Sequence, residues 1–370
     1  MTPQTRAALL TEIWWAAVHA VAGNAAVANS LDTTPIPRPD LIVAVGKAAV
    51  SMAKAAHARF PFTPLLAITK SGHTEPGTSF EVVQSAHPIP DLTSLNAGSR
   101  LLAEVAAAPK ASHLLLLVSG GASSLVEVPR PGLSLDDLAG LNRALLASGK
   151  DIGTMNAERS QHSLIKGGGL LGQFRGSHVT VLAMSDTRGD LIQTIGSGIG
   201  LCPPRPGLTC DTRIVASNTV ARAAAAAKAR DLGLTVLGAS ETLYDDVAAT
   251  ARRMADDLRP GPGLTIWGGE PTVVLPPDPG SGGRNQALAL QLAQLIQGQD
   301  DLSVLVAGTD GNDGPTDAAG GLVTGQTWTD SGATFLTAAD SGTYLARHRA
   351  LFITGPTGTN VMDLALALRV

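Results

Sequence analysis

Residues His113 to Val118 read HLLLLV, a short run without polar alternation. A strand with one face in water alternates apolar and polar side chains, whereas a strand covered on both faces is apolar throughout. The run therefore predicts a strand inside a parallel sheet. Related runs recur at Leu41 to Val45 (LIVAV), Leu65 to Thr69, Phe80 to Ser85, Val179 to Met184 (VTVLAM), Ile214 to Ser217 and Leu234 to Leu237. Helical patterns separate them, at Ala48 to Arg59, Leu92 to Ala107, Leu135 to Ala147, Asn156 to Leu164 and Asn218 to Arg230. Strands alternating with helices predict βαβ units and an α/β fold with a parallel sheet.

The chain is 370 residues long, more than one core usually holds, so two domains are expected. The pattern changes after the Pro- and Gly-rich stretch at Arg259 to Gly263. Strands are expected at Leu264 to Trp267, Thr272 to Leu275 and Leu302 to Ala307, with a helix at Asn285 to Ile296 and short pieces after Thr327. We place the domains at 1–235 and 236–370, the boundary falling within 229–263. At the start, Leu9, Leu10, Ile13, Trp14, Ala17 and Val21 recur at helical spacing, which predicts an amphipathic helix rather than a signal peptide.

The formal net charge is −4 and no basic stripe is present, which argues against nucleic-acid binding. No apolar stretch is long and clean enough to span a membrane. Cys202 and Cys210 bracket a Pro-rich loop without His or Cys partners at zinc spacing. They predict two reduced thiols and a cytoplasmic chain.

In open parallel sheets, ligands bind beyond the carboxyl ends of the strands. Several strand candidates end in polar or glycine clusters: Gly46-Lys47, Ser119-Gly120-Gly121, Ser185-Asp186, Gly268-Gly269-Glu270 and Gly308-Thr309-Asp310. Lys47 opens a helix, where the macrodipole disfavours a cation unless an anion is bound nearby. Ser119 to Ser124, including Ser123, offers hydroxyls and unobstructed backbone N–H groups suited to phosphate. Gly282, Gly283, Arg284 and Asn285 stand before and at the start of a helix, again the pattern of an anion site. Asp186 and Asp190 could take a hydroxyl proton or hold Mg²⁺. Asp310, Asp313 and Asp317 share one small-residue loop, GTDGNDGPTDAAGG. The alternative readings are a solvated lysine, plain helix caps and an Asp-capped turn.

Three motifs are set aside. Gly167 to Gly172 fits G-x-G-x-x-G, but no strand precedes it, so a dinucleotide site lacks its context. Ser51-x-x-Lys54 and Ser163-x-x-Lys166 match S-x-x-K without the SDN or KTG partners of that chemistry. The acidic loop lacks the glycine and closing glutamate of an EF-hand.

The ordered set VGKAAVSMAKA at Val45, AHPIPD at Ala86, LLVSGGASSL at Leu116, NAERSQHSLIKGGGL at Asn156 and SDTRGDLIQTIGSG at Ser185 resembles the glycerate 2-kinase (MOFRL) family. GGEPTVVLP at Gly268, GSGGRNQALAL at Gly280, GTDGNDGPTDAAGG at Gly308 and TGPTGTNVMDL at Thr354 extend the match over nearly the whole chain. The resemblance implies an N-terminal Rossmann-like domain with helices on both faces of its sheet. It also implies a smaller C-terminal α/β domain with a mixed sheet and an active site in the cleft between the two. It implies Mg²⁺-dependent transfer of the ATP γ-phosphate to the 2-hydroxyl of D-glycerate. On that reading Lys47 and Arg284 neutralise the transferred phosphate or grip the acid, Asp186 orients or deprotonates the hydroxyl with Asp190 as second choice, and Ser119, Gly120, Gly121, Ser123, Gly282, Gly283 and Asn285 hold the nucleotide. Asp310 and Asp313 hold Mg²⁺, with Glu270 and Asp190 as further ligands. The expected assembly is a monomer or homodimer with small-molecule partners. The chain departs from the family pattern at Glu158 to Gln161 and at Ile199-Gly200, which bears on substrate choice. The alternatives are an NAD(P)H-dependent hydroxypyruvate reductase and a non-catalytic sugar-acid or nucleotide-binding protein.

Overall fold

The computed structural model describes residues 1–74, 77–147, 152–258 and 260–370. Arg259, at the head of the expected domain break, lies outside them. The strands β1 (Leu41–Val45), β2 (Leu65–Lys70), β3 (Glu81–Ser85), β4 (His113–Val118), β5 (His178–Met184) and β6 (Thr209–Ala216) form one sheet in the order β3-β2-β1-β4-β5-β6. Every pairing in it is parallel. This is the 3-2-1-4-5-6 order of the doubly wound fold, whose strand order reverses between β1 and β4. All of β4 is buried, as its unbroken apolar run requires.

A second sheet contains β7 (Val236–Leu243), β8 (Gly263–Gly269), β9 (Leu302–Gly308), β10 (Gly320–Thr324), β11 (Leu351–Phe352) and β12 (Asp363–Arg369), in the order β11-β10-β9-β12-β8-β7. It is mixed: β7 and β8 are parallel, while β12 runs antiparallel to both β8 and β9. The residues after Thr327 thus supply a central strand rather than peripheral pieces. The stretch Thr272 to Leu275 forms no strand. Thr272 makes only an isolated bridge to Asp246, and while Val273 packs half-buried against the core, Val274 and Leu275 are exposed, so the run pairs into no sheet.

The chain divides into two compact units, Ala22–Ser217 with Gly358–Asn360, and Met1–Val21 with Asn218–Thr357 and Val361–Val370. This differs from a single cut near 235 because both ends of the chain belong to the mixed-sheet unit. The helix Pro3–Ala20 packs there on the helix Asn218–Asp231 and on β9. Its buried face holds Leu10, Ile13, Trp14 and Ala17, matching the expected helical stripe, while Val21 lies just past its end. Arg6 on the same face is buried too. It stays satisfied by donating from Nε to Ser303 Oγ at 2.9 Å and from Nη2 to the Asp300 carbonyl at 2.7 Å.

The cysteines correct the reading of reduced thiols. Cys202 and Cys210 form a disulfide, because the Pro-rich loop between them turns back and brings their Cα atoms to 6.4 Å. The compartment argument built on two free thiols goes with that reading. No helix among the described residues is long and apolar enough to cross a membrane.

Candidate active site

In the parallel-sheet unit, Val45 and Val118 are in register at the ends of β1 and β4, so the next residues meet at one level. Ser119 donates its backbone N–H to Val45, and Lys47 donates its own to the Gly120 carbonyl at 2.9 Å. Ser119 Oγ accepts from Ala48 N at 3.1 Å, just before the helix Ala49–Arg59. Ser119 is fully buried and its hydroxyl caps that helix, so it builds the junction rather than reaching a ligand. A Cβ on Gly46 would stand 2.1 Å from that hydroxyl, and Gly46 has φ +134. Only glycine permits this approach of the two strand ends.

The end of β5 adds Asp186. A Cβ on Gly120 would lie 2.0 Å from Asp186 Oδ2 and 2.3 Å from Asn360 Nδ2, and Asn360 donates to Asp186 Oδ2 at 3.3 Å. A Cβ on Gly121 would touch His87 and the Lys47 side chain. Lys47, Gly120, Gly121 and Asp186 are therefore brought together at the switch point. Asn360 and His87 are additions that sequence reasoning did not place there. Ser123 Oγ is 2.8 Å from Ser197 Oγ. Asp190 is half-buried with φ 53, four residues past Asp186.

Beside Gly121 and Ser123 opens a cavity of about 520 Å³, also lined by His87, Glu127, Arg159 and Lys166. Lys166 and Glu127 form a buried ion pair, and Ser163 Oγ donates to the same carboxylate at 2.6 Å. The S-x-x-K run set aside above thus positions Lys166 at the cavity wall. Arg159 lines the cavity as well, and burial draws its pKa below the ordinary value. The departure at Ile199-Gly200 falls elsewhere. Ile199 is in the sheet core, and a Cβ on Gly200 would meet Val181.

The glycine run after Lys166 packs backbone on backbone. Gly167 and Gly168 donate to the carbonyls of Ser197 and Gly198, and a Cβ on Gly168 would sit 2.8 Å from the Leu201 carbonyl oxygen. No strand precedes it and no open phosphate loop forms.

In the mixed-sheet unit the structure redistributes the expected roles. Asp313 accepts from the backbone N–H groups of Asn285 and Gln286 at 3.0 and 2.8 Å. The start of the helix Arg284–Leu295 is thus capped by an internal carboxylate, where an incoming phosphate was expected. Gly283 fits because a Cβ there would be 2.3 Å from the Asp313 carboxylate, and Gly282 because its Cβ would meet Ser341 Oγ. Asn285 is fully buried, with neither amide atom paired. Burial pushes the Asp313 pKa up to about 6, against the two backbone N–H groups that lower it.

Arg284 donates from Nε and Nη2 to Asp363, a bidentate grip at 2.7 and 3.1 Å, and pairs with Glu270 at 2.8 Å. Burial disfavours its charge, but Asp363, Glu270 and Asp313 outweigh burial and its pKa goes up. Asp363, nearly inaccessible in β12, went unrecognised in the sequence. Glu270 and Asp313 are committed to these contacts. Asp310 accepts from Asn312 N at 3.0 Å. Among the described residues no group of three or more His, Cys, Asp and Glu is placed to hold a metal ion.

Residues 9–232 match the family described as a domain of unknown function (DUF4147), and residues 263–363 match the MOFRL family. The D-glycerate 2-kinase of Thermotoga maritima is 33% identical, with all of this chain and 99% of that protein covered. The glycerate 2-kinase of Pyrococcus horikoshii is 31% identical over 88% of this chain and 86% of its own length. A crystal structure of glycerate kinase from Thermotoga maritima superposes with a TM-score of 0.87 at 32% identity, covering 99% of this chain and 100% of that one.

Two outcomes follow from this geometry. Folded Asp313 keeps its proton to higher pH than the unfolded residue at its ordinary 3.8, so stability falls as pH rises between about 4 and 6. Relative to Asp313→Asn, the wild type loses about 3 kcal/mol across that window, read by urea melts at each pH. Glu127→Ala leaves Lys166 buried without its carboxylate and costs about 3–5 kcal/mol in the same melts.

Proposed function

The chain belongs to the glycerate 2-kinase family, and from that premise we propose that it transfers the γ-phosphoryl group of ATP to the 2-hydroxyl of D-glycerate. The observation that carries the reading is the convergence of Lys47, Gly120, Gly121 and Asp186 at the β1/β4 switch point, where doubly wound sheets bind their ligands. Phosphoryl transfer asks a protein for positioning and charge neutralisation more than for covalent chemistry. The bare backbone at Gly121, half-buried beside Lys47, lets a phosphate approach closely, while Gly120 makes room for Asp186. Lys47 neutralises charge on the transferred group. Asp186, steadied by Asn360, accepts the proton as the substrate oxygen bonds to phosphorus, and the bond to the bridging oxygen of ADP breaks.

Mg²⁺ carried on a nucleotide keeps several waters and needs only one or two protein carboxylates, so it fits this chain without a dedicated cage. Asp190, in the same unit as Lys47 and Asp186, is the candidate for that role. When bound, the ion neutralises phosphate charge. Arg284, held in orientation by Asp363 and Glu270, keeps its proposed role as an anion-binding cation. The reductase alternative loses its sequence support, because the Gly167 run serves backbone packing.

Phosphorus NMR of the full chain with Mg-ATP and D-glycerate is expected to show 2-phosphoglycerate and ADP. Lys47→Ala and Asp186→Asn are each expected to lower kcat by about 10²-fold or more with melting unchanged. Wild-type turnover in both variants would refute the residue roles. Consumption of NADH with hydroxypyruvate, without ADP release, would refute the reaction.

A further inference from the structure

The cavity beside Gly121 has two kinds of lining. Leu135, Leu138, Ala139 and Arg143 lie at i, i+3, i+4 and i+8 on the helix Leu135–Ala147 and present one face to it. Ile89 also borders it and is 75% exposed, a large apolar side chain left in solvent. The polar lining is cationic. Among the described lining residues Arg143, Arg159 and Lys166 outnumber the carboxylate of Glu127, which Lys166 and Ser163 already engage. D-Glycerate is a three-carbon acid with polar groups on every carbon. It would occupy a small part of about 520 Å³ and leave the helix face and Ile89 wet. A nucleoside triphosphate joins a flat apolar base to a polyanion, and pockets of about 300–1,000 Å³ that are apolar with a few convergent polar groups suit such ligands.

We propose that this cavity seats the nucleoside triphosphate, with the base against Ile89 and the face of Leu138 and Ala139, and the phosphates toward Ser123, Arg159 and Lys166. Gly121 borders the cavity, and a Cβ on it would stand 3.2 Å from the Lys47 side chain, so a phosphate tail leaving the cavity past Gly121 arrives near Lys47 and Asp186. The placement rests on the kinase reading above and deepens it by assigning the donor its own seat, with Ala139 and Leu138 as residues that set its fit.

Ala139→Phe fills the helix face without touching Lys47 or Asp186. Calorimetry with Mg²⁺ and a non-hydrolysable ATP analogue is expected to show binding weakened about tenfold or more. The KM for ATP rises in parallel, while the KM for D-glycerate stays within about twofold. If analogue affinity holds while the KM for D-glycerate rises, the cavity belongs to the acceptor and the proposal is overturned; it is equally overturned if neither constant moves. A wild-type chain that binds the analogue yet phosphorylates no hydroxy acid sinks the glycerate reading alone, and loss of that binding in Ala139→Phe still supports the seat. If Ala139→Phe melts early, Arg143→Gln, at the exposed end of the same face, is measured instead. Weaker analogue binding at low salt supports the proposal, and unchanged binding counts against it.

Discussion

The parallel-sheet unit depends on one crowded junction, where the ends of β1 and β4 touch through Gly46 and Ser119. The sheet register brings Val45 and Val118 level, so the next residues must share a space that holds only one side chain. Glycine gives up its side chain and serine uses its own to cap the following helix. The backbone hydrogen bond that Lys47 donates to the Gly120 carbonyl then fixes where the two loops diverge. The switch point is thus rigid because its polar groups are spent on each other. What faces outward is glycine backbone, a lysine and an aspartate.

The mixed-sheet unit solves a similar problem with charge. A helix start needs an acceptor for its first N–H groups, and Asp313 supplies it from a loop after β9. Arg284, at the first turn of that helix, is tied down by Asp363 from β12 and by Glu270 after β8. Three carboxylates from three loops or strands thus organise one helix terminus. Acidic residues at strand ends here build the scaffold as well as any site.

Much of this was legible in the sequence, and the remainder has physical causes. Apolar runs such as HLLLLV announce buried strands because nothing else buries them, and strand ends in an α/β sheet announce the switch point. Pairings between distant residues leave no local pattern. Glu127 meets Ser163 and Lys166, and Asn360 meets Asp186, across long stretches of chain. An aspartate in a Gly-Pro loop looks the same whether it binds a metal or caps a helix, so Asp313 and Asp310 could not be separated by composition. The Cys202–Cys210 bond was missed because thiol spacing says nothing about whether the intervening loop turns back.

The position of β12 carries a consequence for how the chain is made. Its residues pair on one side with β8 and on the other with β9, so the middle of the mixed sheet is synthesised after the other five strands of that sheet. The helix Pro3–Ala20, though made before either sheet, packs on that same unit and contacts β9 and β12. Residues 22–217, apart from the short 358–360 insertion, contain the whole parallel sheet and can collapse while translation continues. The amino-terminal helix, with its buried tryptophan and arginine, has no complete surface to dock on until residue 369 has left the ribosome. Vectorial synthesis therefore separates the two units in time, and an exposed apolar helix is the species a chaperone would meet in the interval.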